Sequence, residues 1–326
     1  MRVTKKTLAA AMATLALTAL ALSGCTGPGE SGGTDDTSSG GSEKPNIAVI
    51  WKDGSSPFWL SAKAGSEQGA EELGDKATVT ITAGNSESDV ASQIAKVENA
   101  ITAGAEAIAI APSAPDQLKP VLTKAQDQGI KVLLIDQPIP DFTPATYIGT
   151  DNKAGGASAF EALAAALPEG GKIGIIGGAP GVIAVEDRIA GFEAAAEGSN
   201  FELLEPLATI SCDQASGVKD AENLITANPD LAGMFIGCGQ PTLGAIQAIK
   251  AAGLTDKLTV IGFDFDEGSV EALETGAAYA FISQFPEKMG SIGVTSAYEL
   301  LTGGTIEERI DTGVATITKE NVDEYR

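Results

Sequence analysis

The chain has 326 residues and a formal net charge of −23, with 44 acidic against 21 basic residues and no histidine. That sign disfavours nucleic acid, whose binding rests on cations set against phosphates. The missing imidazole excludes His-based triads, His metal sites and imidazole acid–base chemistry together.

The chain begins MRVTKKTLAAAMATLALTALALSGC. Arg2, Lys5 and Lys6 form a basic segment, and residues 7–23 form an apolar, Ala/Leu-rich run, which is a secretory signal pattern. A short membrane anchor is the competing reading, but Ala inserts weakly and the run ends in small residues rather than a stop-transfer cluster. Leu22-Ser23-Gly24-Cys25 resembles the lipobox of bacterial lipoproteins. The resemblance implies cleavage before Cys25 and a lipid on that cysteine, so residues 1–24 are expected to be a signal peptide. Losing them removes Arg2, Lys5 and Lys6 and no acid, which moves the net charge from −23 to −26. Residues 26–45, TGPGESGGTDDTSSGGSEKP, carry no apolar periodicity. Together with Cys25 they read as a lipid-anchored flexible tether, with a mean reach on the order of 25 Å.

The remaining 280 or so residues are long enough for two lobes. From residue 46 the chain alternates short apolar strands with amphipathic helices. Ile47–Ile50 reads as a strand and 58–73 as a helix. The segment DGSSPFWLSAKAG sets Phe58 beside Trp59 in a chain with only two Trp. Adjacent helical residues point about 100° apart, so one buried face does not easily take both; either one ring packs in the core or something else covers them. Val79–Thr82 follows, then a helix with Val90, Ile94, Val97 and Ile101 on one face, the strand Ala107–Ile110, a helix to Gln128 and the strand Val132–Ile135. The cycle restarts with Lys172–Ile176, a helix near 182–197, and strands at 201–210, Leu231–Ile236, Leu258–Phe263 and Tyr279–Ser283. Two such series, each of about five strands, predict an α/β protein of two similar lobes, each a parallel sheet flanked by helices.

An internal echo supports the doubling. GIKVLLIDQ and DKLTVIGFDF each run into an Asp after about the fourth strand of their series. Ligands of open α/β sheets bind beyond the carboxyl ends of the strands, so Asp136 and Asp264 are expected to meet one cleft from opposite sides. Either Asp alone would read more simply as a helix cap or turn former; matched positions favour the cleft.

The stretches SSPFWLSAKAGSEQGAEELG, GAEAIAIAP, YIGTDNKAGG, EDRIAGF, LITANPDLAGMF, VIGFDFDEG and FISQFPEKMG, in this order, carry a resemblance over nearly all of 46–326. The chain resembles the sugar-binding proteins of ABC importers, the ribose-binding-like group of the periplasmic-binding-protein type I fold. The resemblance implies two lobes joined by a three-segment hinge, with crossovers near 149–152, 284–286 and 310–313. The first lobe then takes 46–149 plus 285–311, and the second 150–284 plus 312–326. It also implies an extracytoplasmic, lipid-anchored monomer that captures a sugar-like ligand and delivers it to a membrane permease, with no cofactor, no metal and no catalysis.

Site residues follow from the same resemblance. Phe58 and Trp59 match aromatics that cover a sugar face, although one of them being simply core remains open. Asp136 and Asp264 match the cleft carboxylates, and Gln284 the hinge amide that reaches ligand. Lys52 stands where some members hold a ligand-binding Lys; a solvated surface Lys is the equal alternative. Two departures stand out. Gln137 and Glu186 occupy places where the ribose-type pattern has Arg, whereas Arg188 retains the RxxGF Arg and reads as structural. With Asp136, Glu186 and Asp264 expected in the pocket, a neutral polyhydroxy ligand is the first expectation, and an amino sugar or another cationic metabolite the alternative. Cys212 and Cys238 take places where the pattern has ligand contacts. As an even pair outside the cytoplasm they are expected to form a disulfide, with two small buried thiols as the other reading.

Two further functions compete with binding. An exported hydrolase could use Asp136 and Asp264 as an acid–base pair, and a sugar-responsive repressor could share the fold, but the signal pattern and the absence of an N-terminal pair of DNA-binding helices oppose the latter. GGAPG at 177–181 lacks the Lys and Ser/Thr of a phosphate loop, and the acids of 264–267 lack the full pattern of a calcium loop.

Overall fold

The structure is a computed structural model and describes residues 44–325 apart from 179, 210 and 211. The expected signal peptide, Cys25 and nearly all of the tether lie outside the described residues. The first lobe runs β1 (Asn46–Trp51), α1 (Pro57–Leu73), β2 (Thr78–Ala83), α2 (Val90–Thr102), β3 (Ala107–Ile110), α3 (Pro115–Asp127), β4 (Lys131–Ile135) and β5 (Thr146–Gly149). The second runs α4 (Asn152–Ala166), β6 (Gly171–Ile176), α5 (Ile183–Ala196), β7 (Phe201–Leu203), α6 (Gln214–Ala227), β8 (Leu231–Ile236), α7 (Gly239–Ala251), β9 (Thr259–Phe263), α8 (Glu267–Thr275) and β10 (Ala280–Ser283). The chain returns to the first lobe with α9 (Pro286–Leu301) and β11 (Arg309–Asp311), and ends in the second with β12 (Ala315–Thr318).

The two six-stranded sheets have the orders β11-β5-β4-β3-β1-β2 and β12-β10-β9-β8-β6-β7. The second repeats the first strand for strand, and β4 and β9 hold equivalent places. Neighbours pair in parallel except β10 and β12, which pair antiparallel. Side chains of a strand alternate between faces. Accordingly Ile47 and Val49 of β1 join the core beneath α1 and α9, whereas Ala48 and Ile50 join the core beneath α2 and α3. A sheet covered on both faces needs apolar residues at successive positions, which is why these strands read as continuous apolar runs.

α9 follows a strand of the second lobe yet packs on the first. A Cβ added at Gly65 of α1 would lie 2.0 Å from the Glu287 carbonyl, and one at Gly290 of α9 would lie 2.0 Å from the Ala62 carbonyl. Only glycine permits that approach, and it ties the returning helix to α1.

The strand expected over 201–210 is shorter. β7 stops at Leu203, because Pro206 has no N–H for the ladder, and only a single bridge from Leu207 to Ile176 continues it. β5, β11 and β12 were not foreseen as strands. They are three or four residues long and lie beside the crossovers, and so short a run has too few positions to show a period.

Candidate ligand-binding site

The loop after β1 is built by Asp53. Its Oδ1 accepts the backbone N–H groups of Ser55 (2.6 Å) and Ser56 (2.9 Å), an Asx-type turn that delivers Pro57 to the first position of α1, where its fixed φ suits helix entry. Phe58 and Trp59 therefore stand in the first turn, at the carboxyl end of the sheet. Trp59 does both jobs that were expected to exclude each other. It is buried against Trp51, with ring centroids 5.9 Å apart, and it also borders the cleft. Its indole N–H donates to Glu87 Oε1 at 2.6 Å. Phe58 is half-buried and meets Trp59 edge-on at 4.7 Å.

Lys52 is buried rather than a solvated surface residue. Its Nζ lies 2.7 Å from Asp136 Oδ2, 3.5 Å from Gln137 Oε1 and 4.8 Å from the Trp59 ring centroid.

Asp136 and Asp264 have the same local structure. Both are left-handed, with φ of 65° and 63°, a conformation that Asp and Asn tolerate better than most residues. Each N–H donates at 2.9 Å to the next strand of its sheet, Asp136 to the Ile148 carbonyl and Asp264 to that of Ile282. This kink turns each side chain off the end of its strand and into the cleft. Asp264 Oδ1 accepts Gln284 Nε2 at 2.6 Å, and Oδ2 accepts the Gly239 N–H at 3.2 Å. Burial raises the Asp264 pKa above its ordinary value, against the pull of Arg188 and the Gln284 hydrogen bond. Gln284 Oε1 is buried with no partner among the described residues, which leaves an acceptor at the hinge.

Arg188, expected to be structural, does more than that. It is buried, donates from Nε to Asn152 Oδ1 (2.8 Å) and from an Nη to the Gly237 carbonyl (2.9 Å), and lies over the Phe263 ring. It also borders the cleft. Burial lowers its pKa, opposed by Asp264 and Asp136, and a guanidinium with five N–H groups has donors left over. The signals in the sequence were a lone Arg opening the otherwise apolar RIAGF run and its match to the RxxGF pattern.

Lys52, Phe58 and Trp59 from one lobe and Arg188, Cys238 and Asp264 from the other line a single cavity of about 330 Å³, with Asp136 and Gln284 also at its wall. That is near the lower end of the range of about 300–1,000 Å³ for small-molecule sites. Cys212 and Cys238 are joined by a disulfide, with Cα atoms 6.1 Å apart, and both residues border the cavity. Two expected residues do not line it. Gln137 is buried behind Lys52. Glu186 is exposed, and its carboxylate accepts the Gly181 N–H at 2.8 Å; a first-turn acid on α5 is held by the loop at the helix start rather than by the cleft. Glu87, absent from the expected set, does border it. Gln93 is a polar residue on the apolar face of α2. It ties β1 to β3 by donating to the Trp51 (3.3 Å) and Ala111 (2.8 Å) carbonyls.

Residues 47–305 match the family model of the periplasmic binding protein domain. The chain belongs to the periplasmic-binding-protein family. This binding protein is 30% identical to the ribose import binding protein of Haemophilus influenzae, over 86% of this chain and 94% of that one. It is 31% identical to the D-ribose/D-allose-binding protein of Pseudomonas aeruginosa, over 84% and 88%. Among solved structures it is similar to a carbohydrate transporter solute-binding protein from Agrobacterium radiobacter in complex with D-arabinose. The TM-score is 0.80 and the identity 30%, over 87% of this chain and 97% of that one. These relatives are binding components rather than enzymes, which sets aside the hydrolase reading of Asp136 and Asp264.

Proposed function

We propose that this protein captures a small neutral sugar between its lobes and delivers it to the permease of an ABC importer from outside the cytoplasm, held to the membrane by a lipid on Cys25. The observation that carries the ligand class is the charge balance of the inner cavity wall. Two cations, Lys52 and Arg188, stand against two carboxylates, Asp136 and Asp264, and Glu186 is elsewhere. A neutral ligand leaves that balance intact, whereas an ammonium group would add an uncompensated charge. Of the three other acids at the cavity, Glu87 is engaged by Trp59 and Asp266 by the start of α8, and Glu267 is an exposed first-turn acid of α8, where the helix dipole favours it. Aromatic faces suit the C–H face of a sugar ring, and each ionised Asp has about four acceptor positions for hydroxyls. The relatives named for ribose and allose, and the arabinose complex, support the same class.

A calorimetric panel of D-ribose, D-allose, D-arabinose, D-fucose and D-glucosamine tests it. Binding of a neutral sugar, with a change in tryptophan emission that disappears in Trp59→Phe, is expected. Trp51 is fully buried and does not line the cavity, so it should contribute little. Binding of glucosamine alone would overturn the neutral-ligand assignment.

For the anchor, Cys25→Ala should move the protein from the membrane fraction to the soluble one, since no single weak apolar run replaces acyl chains. An unchanged membrane fraction would remove the lipid from the proposal.

A further inference from the structure

The disulfide sits between the N-terminal ends of α6 and α7, beside the cleft. Cys238 is the N-cap residue of α7 but makes no side-chain cap; its sulfur is committed to Cys212, next to the N-cap Asp213 of α6. The residue after Cys238 is Gly239, whose N–H donates to Asp264 Oδ2, and the other oxygen of that carboxylate holds Gln284. A Cβ on Gly239 would lie 3.1 Å from the Asp264 Cβ, so this turn and the carboxylate are already in close contact. The cross-link thus clamps the turn that orients a cleft carboxylate.

The helices themselves do not depend on it. A Cβ at Gly217 of α6 would lie 2.1 Å from the Pro241 carbonyl, and one at Gly244 of α7 would lie 2.1 Å from the Gln214 carbonyl. Two backbones this close, above a buried core that includes Ala221, Leu224, Ala245 and Ala248, hold α6 to α7 without a covalent bond. Opening the disulfide frees the cleft end of the pair and leaves the rest packed.

We propose that the Cys212–Cys238 disulfide is a positioning element of the ligand cleft, and that its oxidation state sets the affinity for ligand through Gly239 and Asp264. The switch is a two-electron exchange with a dithiol. One dithiol thiolate attacks a cysteine sulfur and expels the other cysteine as a thiolate, which takes a proton. The second dithiol sulfur then displaces the first cysteine, which leaves as a thiol, and the reductant becomes its own disulfide. The inference rests on the sugar-binding reading and adds to it a redox dependence.

The test uses the full chain in detergent and the panel sugar that binds the oxidised protein most tightly. Thiol labelling of unfolded, unreduced protein should first find neither cysteine free; quantitative labelling of both would overturn the proposal. Reduction with a dithiol, and separately the Cys212→Ser/Cys238→Ser variant, should each raise Kd by about fivefold or more while the circular dichroism of the fold is retained, as expected when a preorganised group is loosened. The deciding measurement repeats the reduction in Asp264→Asn. There the effect should shrink to less than about twofold, since groups that act through one another are not additive. A merely stabilising disulfide would shift the melting temperature and leave Kd unchanged, or change Kd equally in both backgrounds; either result overturns the proposal. If the oxidised protein binds no panel sugar, the sugar reading itself fails first, and the inference falls with it.

Discussion

Asp264→Asn should weaken sugar binding by about ten- to a hundredfold, the scale of a hydrogen bond to a charged group, about 1.5–3 kcal/mol. The carboxylate now accepts from Gln284 and from Gly239, and its remaining acceptor positions are the ones a hydroxyl pair would use. Asparagine keeps the shape and tolerates the left-handed φ of 63° at this position, but it has a single acceptor oxygen. The fold should survive, because Gln284 has an unpartnered Oε1 that can turn to accept from the new amide. The pH dependence has a defined sign. Burial raises the Asp264 pKa above the ordinary 3.8, so the ligand-free protein takes up a proton there before pH falls to that ordinary value. Ligand hydroxyls favour the charged form, and Kd should therefore rise as pH falls through a window above the ordinary carboxylate value. For stability the same shift acts oppositely: the buried charge opposes folding above the raised pKa, and that cost vanishes below 3.8. Calorimetry across pH on wild type and Asp264→Asn would decide the matter. Equal affinities, or a wild-type affinity that improves on acidification, would show that Asp264 does not hold the ligand.

Lys52→Met should destabilise the ligand-free protein by about 3 kcal/mol, because it strands Asp136 in the interior without its cation. The two side chains are 9% and 7% exposed and meet at 2.7 Å, so solvent screens the pair little. The double variant Lys52→Met/Asp136→Asn removes both charges, keeps a residue suited to a φ of 65° at position 136 and fills the lysine stem's volume against Trp59. It should regain most of the loss, since replacing a buried pair whole is often nearly neutral. Denaturant unfolding of the three proteins without ligand measures both effects. A single variant within about 0.5 kcal/mol of wild type, the usual range for a surface change, would mean that Asp136 finds another partner or is reached by water.

The sequence by itself determined the architecture. Strands such as Ile47–Ile50 and Leu231–Ile236 are buried on both faces, so their apolar runs are continuous, and the period of α2, with Val90, Ile94, Val97 and Ile101 on one face, is equally plain. The echo of Asp136 and Asp264 was legible for the same reason: a residue that ends a buried strand is marked by the abrupt stop of that run. The short strands at the crossovers were not legible, because three or four residues show too few positions for a pattern, whereas the end of β7 was marked in the sequence by Pro206. The site divided along the same line. Trp59, the two Asp and Gln284 were marked by position in the chain, but whether a polar side chain faces a cleft depends on groups far away in sequence. Arg188 came to line the cavity because Asn152 and the Gly237 carbonyl hold only two of its donors. Glu186, two residues earlier on α5, was drawn away to the Gly181 N–H. Lys52 became a buried cation only because Asp136, 84 residues later in the chain, lies beside it. Periodicity records which face of an element is buried; charge pairing across the fold leaves no period, and only the tertiary structure decided it.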